Sequence, residues 1–347
     1  MKKQLRSVRL GMFYIFFFSL IFTTVYQGSA EAASKVYRWR AQHFLPSQME
    51  GSKEFARWCE KVEQASAGRL VIKPFPPGAA VPSAEQWESV RKGVLEMALS
   101  YGAYWVGKTP VAGFSVGVPF TLRDIQDQYV LYQRLGMEEL VRSNYAKQNI
   151  YFLRHLPCLD TAMTSKKPIT SVADLKGLKV RATGLIGEML AAAGATVAYF
   201  PGPEIYGALE KGIIDAAVYG PLATQYELGF HEVTKYIAMP PMASEGDEAI
   251  VNMDAWNKLP DDLKMLLTLS IAEHGERLAA IYRHESETAL EAFKDKGLTV
   301  TVMPEAERLK LTTLGWGVVD KYAAKDPDFA KGSDVLKNYL KLIGKIK

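Results

Sequence analysis

The sequence predicts an α/β protein of two similarly built lobes, mixed sheets flanked by helices, with a helical C-terminal extension. Three observations carry this. Segments of strand and helix character alternate from residue 36 to residue 101 in the order strand, helix, strand, helix, strand, which implies a parallel or mixed sheet covered by helices. The alternation returns between residues 171 and 219. Two corners also align: Arg91-Lys-Gly-Val-Leu-Glu-Met-Ala98 matches Glu210-Lys-Gly-Ile-Ile-Asp-Ala-Ala217, each a helix ending at glycine just before a buried strand. Lobes of this kind flank a cleft, and small ligands bind where strands end in such clefts.

Each element has its reason. Val36 to Ala41 alternates and is rich in aromatics, so it reads as a strand. Phe55, Trp58, Cys59, Val62 and Ala65 recur at helical spacing, and Gly68 ends that helix. Arg69 to Phe75 is a second strand. Ser83-x-x-Gln86 has the form of a capping box, opening a helix that buries Trp87, Val90 and Val94. Glu96 to Tyr101 is the third strand. In the second lobe, Ser171 to Asp174 caps a short helix, and Leu178 to Arg181 is a strand. Gly187 to Ala193 is a helix, Ala195 to Phe200 a strand, Glu204 to Lys211 a helix and Ile213 to Tyr219 a strand. Asp261 to Ala292 is one long helix, expected to span and brace the hinge. Leu298 to Val302 is a strand, Glu305 to Ala324 a helix, and Pro327 opens a last amphipathic segment.

The N-terminus adds a compartment. Lys2, Lys3, Arg6 and Arg9 precede an apolar stretch from Leu10 to Val25, and small residues stand at Ala30 and Ala32. These are the three parts of a secretory signal peptide, with cleavage expected after Ala32. The apolar run falls short of the roughly 20 residues a bilayer crossing needs. In a bacterium the mature chain is then periplasmic. The whole sequence of 347 residues carries a formal charge of +4. Four basic residues and Glu31 leave with the signal, so the mature chain is at +1 and its charge points to no nucleic acid. At 48% apolar and 23% charged, the chain has enough apolar content to fold.

Several motifs compete for the function. Gly113-Phe-Ser115-Val-Gly117 has the letters of a hydrolase nucleophile elbow, which needs a strand before the serine and a helix after it. Pro119 discourages helix there. An exported serine hydrolase using Ser115 is the alternative this leaves. Of the five histidines, no pair has the spacing that puts two ligands on one helix face, and His274 and His284 read as solvated. No phosphate-binding glycine motif occurs. Cys59 sits on a buried stripe; its pairing with Cys158 stays open. Arg181 ends a buried strand, where arginine is rare without a partner. It either points its fork at a ligand carboxylate or pairs with a neighbouring acid. Tyr101, Tyr104, Trp105 and Tyr219 stand at strand exits, as core or as cleft wall.

Gly68-Arg-Leu-Val-Ile-Lys73, Val118-Pro119-Phe120, Pro201-Gly-x-Glu204-Ile-Tyr206, Gly212-x-Ile-Asp215 and above all Leu175-Lys-Gly-Leu-Lys-Val-Arg181 resemble the solute-binding proteins of TRAP transporters, the DctP family. The resemblance is closest to the branch that binds 2-oxo acids and related monocarboxylates. It implies a periplasmic-binding-protein fold resembling class II. Residues 33–158 with 247–286 would form lobe I, and 159–246 with 287–347 lobe II and the C-terminal helices. It further implies capture of a small organic acid for a TRAP membrane permease, without catalysis; presentation of the ligand to a membrane sensor would look the same. Arg181 falls on the family's carboxylate-binding arginine, and Tyr104 and Trp105 in its aromatic wall. Asp160 and Tyr219 replace a Gln and a Trp of the site, and His43 completes the candidate set. Asp160 would pair with Arg181 or accept from a ligand amine or hydroxyl. Val218 stands where the branch has a cation-binding Glu. Valine cannot ligate a cation, so neither metal nor cofactor is expected. Some proteins of this kind dimerise through C-terminal helices, which makes a homodimer a further expectation of the resemblance.

Overall fold

The computed structural model describes residues 35–116 and 118–346; the expected signal segment lies outside them. Its contacts divide at Tyr37. In the first unit the Lys35 ammonium stands 4.9 Å over the Tyr37 ring; the second unit runs from Arg38 onward and carries the sheet and its helices.

The strands are β1 (Tyr37–His43), β2 (Leu70–Phe75), β3 (Met97–Ser100), β4 (Ile150–Ser165), β5 (Lys179–Arg181), β6 (Thr196–Ala198), β7 (Ala216–Val218), β8 (Tyr236–Asn252) and β9 (Thr299–Val302). The helices are α1 (Glu50–Ala65), α2 (Gln86–Arg91), α3 (Ile125–Tyr129), α4 (Met137–Ala146), α5 (Gly184–Ala192), α6 (Gly202–Glu210), α7 (Leu222–Glu227), α8 (Phe230–Val233), α9 (Met253–Asn257), α10 (Asp261–Asp295), α11 (Glu305–Ala323) and α12 (Pro327–Leu342).

Among the described residues the strands form one mixed sheet in the order β2-β1-β3-β8-β4-β7-β5-β6, with β9 beside β8. Read from either end the pattern repeats. β1 pairs parallel with β3, which pairs antiparallel with β8; β5 pairs parallel with β7, which pairs antiparallel with β4. The two long strands β4 and β8 join the halves. Their ladder is broken where Thr161 faces Ala243 and Met163 faces Ala238. Residues 239–242 lie in that break, and Pro240 and Pro241 have no N–H to give a ladder.

The two aligned corners behave alike. Gly93 and Gly212 both adopt φ near +70° (73° and 70°), a left-handed turn that ends α2 and α6 and feeds β3 and β7. The Ser171 capping box is formed, with Asp174 returning the bond. The box expected at Ser83 is not. A tight turn over Ser83–Glu85 leads into α2 without a side-chain cap, and Gln86 turns inward to donate to the Gln42 carbonyl at 2.8 Å. Because α2 stops at Arg91, Trp87 and Val90 are buried while Val94 is 46% exposed.

Two further expectations are corrected. His274 is buried and not solvated, because α10 lays it against Phe55 and Trp58 of α1. Burial holds its pKa down to about 4. His284, further along, is exposed. Ser115 ends a short 3₁₀ turn, Pro110–Ser115, and is buried, so the strand that a nucleophile elbow requires is replaced. Cys59 is a buried free thiol. The helix α12 packs on its own chain: Phe329 stacks on Phe114 at 4.5 Å, and Leu336 and Leu340 are buried. An exchange of this helix between copies would have to rebuild that packing in trans. No described helix is long and apolar enough to cross a membrane.

Candidate functional site

Arg181 is the last residue of β5 and is 2% exposed. Its neighbours in register are Ala198 on β6 and Ala217 on β7, whose small side chains leave room for the long one. The guanidinium is held by the backbone. Nε donates to the Phe200 carbonyl at 3.1 Å, Nη1 to the Val218 carbonyl at 2.8 Å, and Nη2 to the Tyr104 hydroxyl at 3.4 Å. It stands 4.8 Å over the Tyr219 ring and 5.8 Å over that of Tyr199. Among the described residues no carboxylate forms an ion pair with it. A guanidinium has five N–H donors. Three are used here, leaving one on each terminal nitrogen.

Arg181 borders a cavity of about 40 Å³, with room for roughly three water-sized groups. Its walls include Phe44, Tyr101, Tyr104, Thr161, Val218, Tyr219, Thr224, Glu245 and Asp247. Burial pushes the Tyr104 hydroxyl up to about 12, against the pull of Arg181. Glu245 and Asp247 stand two apart on β8 and so share one face of the strand. Tyr101 donates to Glu245, and burial lifts that carboxyl to about 7. Glu248 points to the opposite face. It accepts from Tyr145 at 2.7 Å, and burial pushes it up to about 8. Tyr219 is seated on the first turn of α6, where a methyl group at Gly202 would overlap its hydroxyl.

The structure brings Arg181, Tyr104 and Tyr219 to this cavity and sets three other candidates apart from its lining. Trp105 turns into the core, 5.6 Å from Trp87, with its N–H on Ser100 Oγ at 3.0 Å. His43 is buried behind Phe44, stacked at 5.0 Å, with Nδ1 accepting from the Leu45 N–H at 2.8 Å. Burial drives its pKa down to about 3. Asp160 is exposed and lines a separate depression with Arg283 and Ser286, so it makes no pair with Arg181. Glu245 and Asp247 do not stand out in the sequence as site residues. Their signal is the run Ser244-Glu-Gly-Asp-Glu248 set between apolar residues.

The family model for bacterial extracellular solute-binding proteins, family 7, matches residues 41–326. The chain belongs to this family. A curated relative, the monocarboxylate 2-oxoacid-binding periplasmic protein of Nostoc sp. strain PCC 7120, is 28% identical over 91% of this chain and 87% of its own. The C4-dicarboxylate-binding periplasmic protein of Rhodobacter capsulatus is 25% identical over 74% of this chain and 77% of its own. Among solved structures, a TRAP periplasmic solute-binding protein of Colwellia psychrerythraea with bound calcium and pyruvate superposes with a TM-score of 0.83 at 27% identity, covering 89% of this chain and 95% of that one. A TRAP solute-binding protein of Bordetella bronchiseptica with calcium and picolinate gives 0.84 at 26%, covering 89% and 93%. The expected fold class and family are thereby found, and the protein is an extracytoplasmic solute-binding protein. Val218 offers no side-chain oxygen, Asp160 lies elsewhere, and no group of three or more His, Cys, Asp or Glu among the described residues could hold a metal.

Proposed function

We propose that the protein captures a small organic monocarboxylate in the Arg181 cavity and hands it to a TRAP membrane permease, without turnover. The observation that carries this reading is the buried guanidinium, which makes no ion pair among the described residues yet keeps one N–H on each terminal nitrogen. A carboxylate satisfies such a fork with two charge-assisted bonds. Tyr104 and Tyr219 wall the site and keep water out, which strengthens the pair by lowering the local dielectric. The relatives support the ligand class, since pyruvate and picolinate, the ligands of two similar structures, are monocarboxylates.

On this reading lobe I comprises residues 33–158 with 247–286, and lobe II residues 159–246 with 287–347. The long strands and α10 cross between them, so closure is a bend of a few residues. Arg181, Tyr104 and Tyr219 are the proposed contacts; Trp105 and His43 support the wall from behind. Calorimetry on Arg181→Ala tests this. The variant should stay folded and lose organic-acid binding at least 100-fold, the scale of two bonds to a charged group. Unchanged affinity for organic acids would overturn the assignment.

A further inference from the structure

The Arg181 cavity has room for the head of a ligand and little else. Its volume of about 40 Å³ takes roughly three water-sized groups, which the carbon and both oxygens of a carboxylate fill by themselves. The rest of a carbon skeleton then lies outside it. Two spaces share its walls. One, bordered in common by Phe44 and Tyr104, holds about 20 Å³. The other, bordered in common by Tyr104 and Thr183, is a groove of about 590 Å³. Of the two, the groove has space for a tail.

Its chemistry says what kind of tail. Ala182, Gly187, Val197 and Ala198 line it together with Tyr104 and Tyr199. Tyr199 packs T-shaped on Tyr104 at 5.6 Å and still keeps 48% of its surface exposed. Covering that ring takes apolar surface out of water. Two residues of the lining carry charge, and both are engaged. Lys108 donates to Glu88 at 2.9 Å, and Glu188 accepts from Tyr322. With its lysine paired, the groove holds no spare cation for a second ligand carboxylate.

Resting on the reading that Arg181 takes a carboxylate, we propose that the ligand is a monocarboxylate with an apolar tail, which leaves the cavity between Tyr104 and Thr183 and lies in the groove against Tyr199. Head and tail divide the work. Arg181 fixes the carboxylate, and the groove selects length and apolarity by the surface it removes from water. Tyr104 serves both, its hydroxyl accepting from Arg181 at 3.4 Å and its ring bordering the groove. Thr183 precedes the first turn of α5 and its side chain makes no capping bond, so packing a tail against it breaks no bond of the helix end.

The test is calorimetry of the purified protein with propanoate, pyruvate, hexanoate and hydrocinnamate. The two longer acids should each bind about 10-fold or more tighter than the two short ones, the scale of burying one apolar side chain. Tyr199→Ala removes the exposed ring, and Gly107→Trp fills the groove from a position where an added Cβ meets nothing within 4 Å. Each should cut the preference by about 3-fold or more, as part of the covered surface is lost. Circular dichroism and thermal melts check that both variants fold. A short acid binding as tightly as the longer ones overturns the inference, and so does a preference that either folded variant keeps in full. Arg181→Ala separates the two readings. If it abolishes binding of the short acids while no longer acid is preferred, the carboxylate reading stands and only the tail fails. If it leaves the binding of every acid unchanged, the carboxylate reading fails.

Discussion

The two halves of the sheet place different chemistry at one position. In the β1–β3 half, Gln42 pairs in register with Ala98; in the β5–β7 half, Arg181 pairs with Ala217. Ala98 and Ala217 are the last residues of the two aligned corners, so Gln42 and Arg181 are counterparts. Both are buried, at 0% and 2% exposure. Gln42 spends its side-chain oxygen on its own half, accepting from the Ala80 and Val81 N–H groups at 3.1 and 3.0 Å, and among the described residues its buried amide nitrogen has no hydrogen-bond partner. Arg181 keeps donors for the cavity. The fold thus offers two equivalent strand ends, and on the proposed function a neutral amide at one and a guanidinium at the other decide which binds.

The strongest way to break this comparison is to swap the residues. Arg181→Gln makes the second half resemble the first and should cost at least 100-fold in ligand affinity with the fold intact, checked by calorimetry. Gln42→Arg puts a buried charge where the described hydrogen-bond partners are the Ala80 and Val81 N–H groups and the Gln86 amide. It should destabilise the protein by about 3–5 kcal/mol, the scale of an uncompensated buried charge, read from denaturant melts. A Gln42→Arg variant of native stability would show that the first strand end is as permissive as the second.

This asymmetry also marks how far the sequence alone reaches. The two corners, the strand ending at Arg181 and the strand-exit tyrosines were legible because helix-to-strand periodicity and a left-handed glycine leave local signals. The strands β4 and β8 were not. Bulges break their two-residue period, and the Pro240–Pro241 pair and the acids at 245, 247 and 248 read as loop. A bulge also shifts which face the next side chain takes. That is why Asp160, between the register shifts at Pro157/Leu159 and Thr161/Met163, could not be placed from sequence. Trp105 fails for a related reason. The turn Gly102–Tyr104 sends consecutive aromatics to different sides, one to the cavity and one to the core.

A second prediction concerns the acids on β8. Glu245 and Glu248 have folded pKa values of about 7 and about 8, raised from the usual carboxyl range by burial. The folded state therefore binds protons that the unfolded chain has already released. Their contribution to stability is complete below the unfolded value and is lost as pH rises through 7 and 8. The slope is up to about 1.4 kcal/mol per pH unit per group. The buried His43, His155 and His274, held down to about 3, 3 and 4, act in the other direction. Their contribution is present above the ordinary histidine pKa and fades as pH falls below it. Stability should thus peak in mildly acidic buffer and fall between pH 6.5 and 8. Thermal melts should show Glu248→Gln flattening the alkaline fall and steepening the rise of stability between about pH 4.5 and 6.5.

A third prediction compares how the two exit tyrosines are held. Tyr101 is tied by its hydroxyl to Glu245, whereas Tyr219 rests on the bare backbone of Gly202. Gly202→Ala pushes the Tyr219 ring towards Arg181 and should weaken ligand binding about 10-fold, a steric cost near 1.4 kcal/mol. At Gly102, after the first exit, a methyl would meet the Ala112 carbonyl and Ser115 Oγ, both at 2.8 Å. There the damage should be to stability, by about 1–3 kcal/mol as for an overpacked core. Melting curves and calorimetry on the two variants separate the outcomes; matching losses of affinity would dissolve the distinction.

The smallest effect tests the repeat itself. Gly93 and Gly212 close the aligned corners with φ of 73° and 70°. A Cβ at Gly212 meets nothing within 4 Å, and one at Gly93 finds only ordinary contact with Asn252 at 3.6 Å. Neither site then adds a clash, and each alanine substitution carries only the cost of a side chain in the left-handed region, about 1 kcal/mol. The two variants should lose equal stability in denaturant melts, within a few tenths of a kcal/mol. Lying in opposite halves of the sheet, they should also add in the double variant. A markedly larger loss at one corner would mean that its glycine serves a local contact, and that the matching letters reflect a common way of turning from helix to strand and not a common plan.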